Sequence, residues 1–185
     1  MKGVVFTEFV EMVERSFSPE VMDRVLLRVA PASGGAYTSV GTYPFDEMMA
    51  LVQGVAAEVG QEVPALLREF GRQLFTQFQQ KFPEIFVEAA DAFAFLEQVE
   101  GIIHVEVRKL YPDAELPAFE IRRAGPDTMT MVYDSPRALS AFGAGLMLGC
   151  FEHFGEAVEV AAEDLSGGAG TKVRFTLTRR PSAAA

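Results

Sequence analysis

Apolar positions recur every three to four residues through the first half of the chain and alternate through much of the second. Residues 3–17 carry Val5, Phe6, Phe9, Val10, Val13 and Phe17 on one side, with Glu8, Glu11 and Arg15 on the other, which predicts a helix. Ser18-Pro19-Glu20 restarts helical structure, with serine as N-cap, proline at the first helical position and an acid in the first turn. This second helix runs to about Ala30. Residues 31–42, with Ser33-Gly34-Gly35, read as a loop. A third helix is predicted over 44–59, closed by Gly60, and a fourth over 64–80, broken by Lys81-Phe82-Pro83. One long helix is expected over about 90–110, with Leu96, Val99, Ile103, Val107 and Leu110 as its stripe.

The period then changes to two over 118–123 and 127–133. In the latter, Met129, Met131 and Tyr133 share one face and Thr128, Thr130 and Val132 the other. Ala124-Gly125-Pro126-Asp127 is a turn between them. A further helix is predicted over 137–154, and two more strands over 157–162 and 172–178, joined through Gly167-Gly168-Ala169-Gly170. The class is α+β: a helical N-terminal lobe, then a small antiparallel sheet with a crossing helix. The expected divisions are a helical part at about 1–63, a sheet-bearing part at about 64–180 and a frayed tail at 181–185.

Composition narrows the function. A length of 185 residues suits one domain, and 49% hydrophobic content supports a packed core rather than disorder. With 26 acids against 16 Lys and Arg the net charge is −10, which argues against nucleic acid as a partner. The single Cys150 excludes an internal disulfide and any zinc site built from several thiolates. No apolar run approaches the ~20 residues of a membrane span, and Glu8 comes too early for a secretory leader, so a cytoplasmic protein is expected. The 16 Phe and 8 Met, with no Trp, either fill a core or line a pocket for a flat hydrophobic ligand.

Candidate chemistry is sparse. His104 falls within the long predicted helix, at the rim of its apolar stripe, with Gly101 three residues earlier. That glycine either clears space beside the imidazole for something flat or packs a neighbouring helix next to an ordinary rim histidine. His153, near the end of the last helix, reads as a cation at a helix C-terminus. Tyr133, Ser135 and Arg137 set a phenol, a hydroxyl and a guanidinium at alternate positions, so in extended backbone they share a side and can grip carboxylates. Equally, Asp134 or Ser135 caps a helix that Pro136 starts, leaving Arg137 solvated. The glycines between 143 and 149 lack the dinucleotide-loop spacing and suit close helix packing. No catalytic triad spacing is present.

Together these features resemble the bacterial haem–nitric oxide/oxygen-binding (H-NOX) family. The resemblance rests on Met1-Lys2-Gly3-Val4-Val5-Phe6, Phe70-Gly71-Arg72-Gln73, the 102–112 segment around His104, Leu116-Pro117, and Tyr133-x-Ser135-x-Arg137. It implies haem b as cofactor, with His104 as the sole protein ligand to iron and Tyr133, Ser135 and Arg137 as the propionate clamp. It also places Val5, Phe9, Leu74, Phe78, Phe142 and Leu146 around the distal side, and Pro117 against the porphyrin. The implied function is gas sensing without turnover: a ferrous, five-coordinate haem binds nitric oxide and carbon monoxide and signals to a separate partner. In the family that partner is usually a histidine kinase or a cyclic-di-GMP enzyme, and an acidic surface suits a basic patch on it. Dioxygen-binding members place a tyrosine over the gas, where this chain has Phe142, so dioxygen is not expected to be held. His153 matches a zinc ligand of some members, but the Cys partners are absent from 164–175, so no zinc is expected. The competing classes are a haem enzyme of peroxidase type, which needs a distal His or Arg, and a carrier of another hydrophobic ligand.

Overall fold

The computed structural model describes residues 1–87 and 89–180. The predicted tail, 181–185, lies outside the described residues. The chain forms two compact units, Met1–Phe70 and Gly71–Ala185.

In the first unit α1 (Gly3–Ser16), α2 (Pro19–Val29), α3 (Phe45–Val59) and the start of α4 (Val63–Lys81) are the predicted helices. Their apolar faces supply the core: Phe6, Phe9, Met12 and Val13 from α1, Met22 and Val25 from α2, Leu51, Val52 and Val55 from α3. Gly3 is required by a close approach, because a Cβ there would lie 1.9 Å from the Thr38 carbonyl oxygen. Ser18 precedes α2 but makes no capping bond to the backbone; its hydroxyl donates to the Glu20 carboxylate instead. The 31–43 loop is tied to α3 through buried Glu47, whose carboxylate accepts from the Ser33 hydroxyl, the Ser33 N–H at 3.3 Å and the Tyr37 hydroxyl at 2.7 Å. Burial pushes the Glu47 carboxyl up, but these donors outweigh it and hold the group below the usual range. Burial, with the adjacent carboxylate, pushes the Tyr37 phenol up to about 12.

In the second unit four antiparallel strands, β1 (Ala118–Arg123), β2 (Thr128–Asp134), β3 (Val158–Asp164) and β4 (Lys172–Arg179), stand in the order β1-β2-β4-β3. The inward face carries Met129, Met131 and Tyr133 from β2 and Val173, Phe175 and Leu177 from β4. It packs on α5 (Ala92–Glu97) and α7 (Ser140–His153) through Phe93, Phe95, Leu96, Met147 and Phe151. Much of the Phe and Met content is buried within the two units. Of the α7 glycines, Gly145 and Gly149 serve close packing against α4, whereas a Cβ on Gly143 would meet only the Tyr133 ring, at 4.0 Å. A Cβ on Gly71 of α4 would lie 2.2 Å from the Phe142 carbonyl oxygen, and one on Gly149 would lie 2.9 Å from the Arg72 carbonyl oxygen.

Two sequence expectations are corrected. The single helix over 90–110 is broken into α5, a π-helical turn (Val99–Ile103) and α6 (His104–Leu110). Ile103 and His104 donate to the carbonyls five residues back, Gln98 and Val99, and the extra residue rotates everything after it by about 100°. His104 therefore turns inward, to 7% exposure, while Leu110 of the predicted stripe faces out at 54%. The last helix begins at Ser140 rather than Arg137, so neither Asp134 nor Ser135 caps it.

Candidate haem site in the sheet-bearing unit

His104 opens α6 and is the only buried residue of that helix. Its Nδ1 lies 3.1 Å from Glu100 Oε1, one turn earlier, at ion-pair distance but without the alignment of a hydrogen bond. The same Glu100 oxygen accepts the Phe119 N–H at 2.9 Å, so the carboxylate is fixed by β1 and not only by its own helix. Burial pushes the His104 imidazole below its ordinary value, and Arg108 adds to this; Glu100 pulls the other way. A neutral ring with one nitrogen facing a carboxylate is the state in which histidine ligates a metal through the other.

Gly101 is exposed, and a Cβ built on it meets nothing within 4 Å. The reading in which it packs a neighbouring helix is thereby excluded, and the space beside it is open.

Along 133–137 burial alternates: Tyr133 and Ser135 are buried, Asp134 and Pro136 exposed, and the Arg137 side chain is 20% exposed. Ser135 still pairs with the sheet, its N–H donating to the Thr171 carbonyl oxygen at 2.8 Å, but the backbone then turns at Pro136 and Arg137, the Ala138 N–H donating to the Ser135 carbonyl oxygen at 3.4 Å, so the extended run expected to carry Arg137 beside Tyr133 and Ser135 ends at Ser135. The Tyr133 oxygen accepts the Leu139 N–H at 2.9 Å, and Ser135 Oγ accepts the Arg137 N–H at 3.3 Å. Each hydroxyl thus spends acceptor capacity on the backbone and keeps its proton for another partner. Ala138, at φ +51°, completes the bend. Arg137 is not a solvated side chain: Nη1 donates to the Glu115 carbonyl oxygen at 3.1 Å, and Nη2 pairs with the Glu115 carboxylate.

The segment 115–119 gathers these pieces. Glu115 holds Arg137, and the Phe119 ring lies 6.1 Å from the His104 ring and 5.7 Å from the Tyr133 ring, with Pro117 between them in sequence. Glu100, Glu115 and Phe119 were not singled out by sequence reasoning. Of the three, only Glu100 carries a local signal, a carboxylate four residues before a helical histidine.

The remaining candidates divide between the units. Leu74 and Phe78 lie on α4, and Phe142 and Leu146 on α7, in the unit that holds His104; Val5 and Phe9 lie on α1 in the other. Phe9 is fully buried with its ring 5.2 Å from Phe70, and Leu74 is buried. His153 is an exposed ring packed against Phe154 at 4.8 Å and Phe86 at 5.2 Å. Among the described residues, no three His, Cys, Asp or Glu groups come together as a metal cluster. No helix among them is long and apolar enough to cross a membrane.

A buried neutral imidazole, two hydroxyls with protons to donate and a guanidinium fit a haem, which needs an axial nitrogen and donors for two propionates. Comparisons with known proteins bear on the same point. The chain aligns at 38% identity with an H-NOX protein from Shewanella woodyi solved in the Fe(II)CO state, covering 100% of this chain and 97% of that one, with a TM-score of 0.83. With the Fe(II) unliganded H-NOX protein from K. algicida the identity is 37%, coverage is 100% of both chains and the TM-score 0.93. An H-NOX protein from S. oneidensis in the Fe(II)NO state shares the fold, at TM-score 0.89 and 23% identity, over 98% of this chain and 100% of that one. No curated protein sequence matches. The family model described as Haem-NO-binding matches residues 2–162, and the chain belongs to the H-NOX family of haem-based gas-sensing domains.

Proposed function

We propose that this chain senses nitric oxide, and also takes carbon monoxide, through one haem b held by His104 and clamped by Tyr133, Ser135 and Arg137. The observation that carries the reading is His104: buried, with the imidazole pushed below its ordinary value by that burial, and with Nδ1 3.1 Å from the Glu100 carboxylate, which leaves Nε2 as the nitrogen to coordinate. When bound, haem would be held by His104 and would supply a ferrous iron able to take a diatomic gas. The Glu100 carboxylate beside the ring is itself tied to the sheet, accepting the Phe119 N–H at 2.9 Å. Tyr133 and Ser135 donate their hydroxyl protons to propionate oxygens, and Arg137 supplies the positive charge.

Gas choice follows from residue chemistry. Retaining dioxygen takes a hydrogen-bond donor near the gas, worth ~1.5–3 kcal/mol in a dry pocket. Phe142, Phe9 and Leu74, the positions the family places there, offer none. Nitric oxide and carbon monoxide do not need one.

Output runs through α6. The helix before it, α5, is anchored. Asp91 caps it by accepting the Ala94 N–H at 2.7 Å, and the Arg179 guanidinium lies 2.9 Å from Asp91 and 4.2 Å over the Phe93 ring. Beyond the π turn α6 buries only His104, so a shift of the imidazole is carried by α6 as a body to a separate partner, a histidine kinase or a cyclic-di-GMP enzyme. The net charge of −10 favours a basic surface on that partner.

The test is the absorption spectrum of the ferrous, haem-loaded protein under nitric oxide, carbon monoxide and air. The Soret band shifts with the first two and forms no stable species with the third. A stable, reversible oxygenated spectrum overturns the assignment, and rapid peroxide turnover instead supports an enzyme.

A further inference from the structure

Arg137 is paired with Glu115 through both of its terminal nitrogens. Its Nη1 donates to the Glu115 carbonyl oxygen at 3.1 Å, while Nη2 pairs with the Glu115 carboxylate. The two contacts differ in kind. The carbonyl contact fixes the guanidinium to the backbone two residues before Pro117 and carries no net charge. The carboxylate contact is an ion pair between an arginine side chain only 20% exposed and a glutamate side chain 78% exposed. A glutamate that could lie in water is folded back onto a mostly covered cation. An unpaired guanidinium at that depth is costly, and the carboxylate offsets the cost.

We propose that Glu115 is an anionic placeholder for a haem propionate: its carboxylate occupies Arg137 and is exchanged for the incoming propionate. This rests on the reading of Arg137 as part of the clamp. The exchange conserves charge at the guanidinium, one carboxylate for another, and leaves the Nη1 bond to the Glu115 carbonyl in place. Arg137 therefore keeps its position during the swap, and Glu115 can move outward because its side chain is already largely exposed. The consequence is a sign. Glu115 stabilises the haem-free protein and opposes haem retention, because its charge competes with and repels the propionate.

The experiment compares Glu115→Gln with the wild type. Glutamine keeps the length and an acceptor oxygen but removes the charge, and at an exposed side chain it does not threaten folding. Two quantities are measured: the thermal midpoint of the haem-free protein, and the rate of haem transfer from the ferric loaded protein to excess apomyoglobin. The placeholder requires opposite effects on stability and on retention: a lower midpoint without haem, and haem held more firmly, its loss slowed by roughly two- to tenfold, the scale of one partly screened charge. The slowing should shrink in high salt. If Glu115 merely positions Arg137, haem-free stability and haem retention are both weakened, with a lower midpoint and faster haem loss, and the placeholder is overturned; an unchanged loss rate overturns it equally. If the wild type takes up no haem at all, the underlying assignment of the clamp fails, which is a separate result from a loaded wild type with the wrong sign.

Discussion

Replacing Gly71 with alanine tests how the two helices behind the site are held together. The new Cβ would lie 2.2 Å from the Phe142 carbonyl oxygen, 2.9 Å from the Leu146 nitrogen and 3.1 Å from the Gly145 Cα. All three are backbone atoms, so no side chain can rotate away. A relaxed carbon–oxygen contact is about 3.3 Å, so α4 and α7 must separate by roughly 1 Å at their crossing. Overpacking of this sort costs ~1–3 kcal/mol, and backbone on both sides puts it in the upper part of that range. Alanine returns ~1 kcal/mol through its better helix propensity. The net expectation is about 1–2 kcal/mol of destabilisation, or a midpoint lowered by roughly 2–8 °C in a chain of this size. Thermal unfolding followed by far-UV circular dichroism measures it. Gly101→Ala is the internal control, since the same substitution there meets nothing within 4 Å and the glycine has no positive φ. That variant should be unchanged or up to ~1 kcal/mol more stable without haem. If Gly71→Ala is as stable as Gly101→Ala, the crossing yields freely and the argument from close approach is wrong.

Two further expectations follow from the polar contacts. Arg137→Ala removes the clamp's only cation and should speed haem loss by roughly thirtyfold, the equivalent of about 2 kcal/mol, while moving the haem-free midpoint much less; equal haem loss would return Arg137 to a purely structural role. Glu47 has a carboxyl held below its unfolded value by Ser33 and Tyr37, so its contribution is complete above the ordinary glutamate range near ~4.3 and disappears as pH falls through the folded value. Glu47→Gln should therefore be less stable than wild type at neutral pH and converge with it in acid, measured as urea midpoints from pH 7 to 3; parallel curves would refute the linkage.

The legible parts of the fold were those with a local period. Met129, Met131 and Tyr133 announced the buried face of β2, and the α1 stripe announced its core face, because two and 3.6 residues are distinct repeats. The π turn was not legible, since one inserted residue among Val99, Gly101 and Ile103 leaves an apolar pattern that still looks helical. The cost of missing it was concrete: His104 was placed at the rim of a stripe and Leu110 within it, and the structure exchanges their exposure. Ser135-Pro136 is a helix-start pattern, and only the tertiary structure shows that Ser135 pairs with Thr171 and that the chain turns at Pro136 and Arg137 without starting the helix. Glu115 was invisible for another reason. Its partner is 22 residues away across β1 and β2, and no spacing rule links a loop acid to a residue after the next strand. His104, Tyr133, Ser135 and Arg137 were named through the family motif; local physics alone left the Tyr133, Ser135 and Arg137 clamp even with helix capping and favoured an ordinary rim histidine at 104.

The central claim, that His104 is the protein's only hold on the iron, is tested most directly by the ferrous absorption spectrum of His104→Gly, recorded with and without added imidazole. No other histidine among the described residues is positioned to replace it, since His153 is exposed and packed against phenylalanines at the far end of α7. The account predicts loss of the five-coordinate histidine spectrum in the variant and its recovery when imidazole fills the cavity. A variant that keeps the wild-type spectrum without imidazole would contradict it.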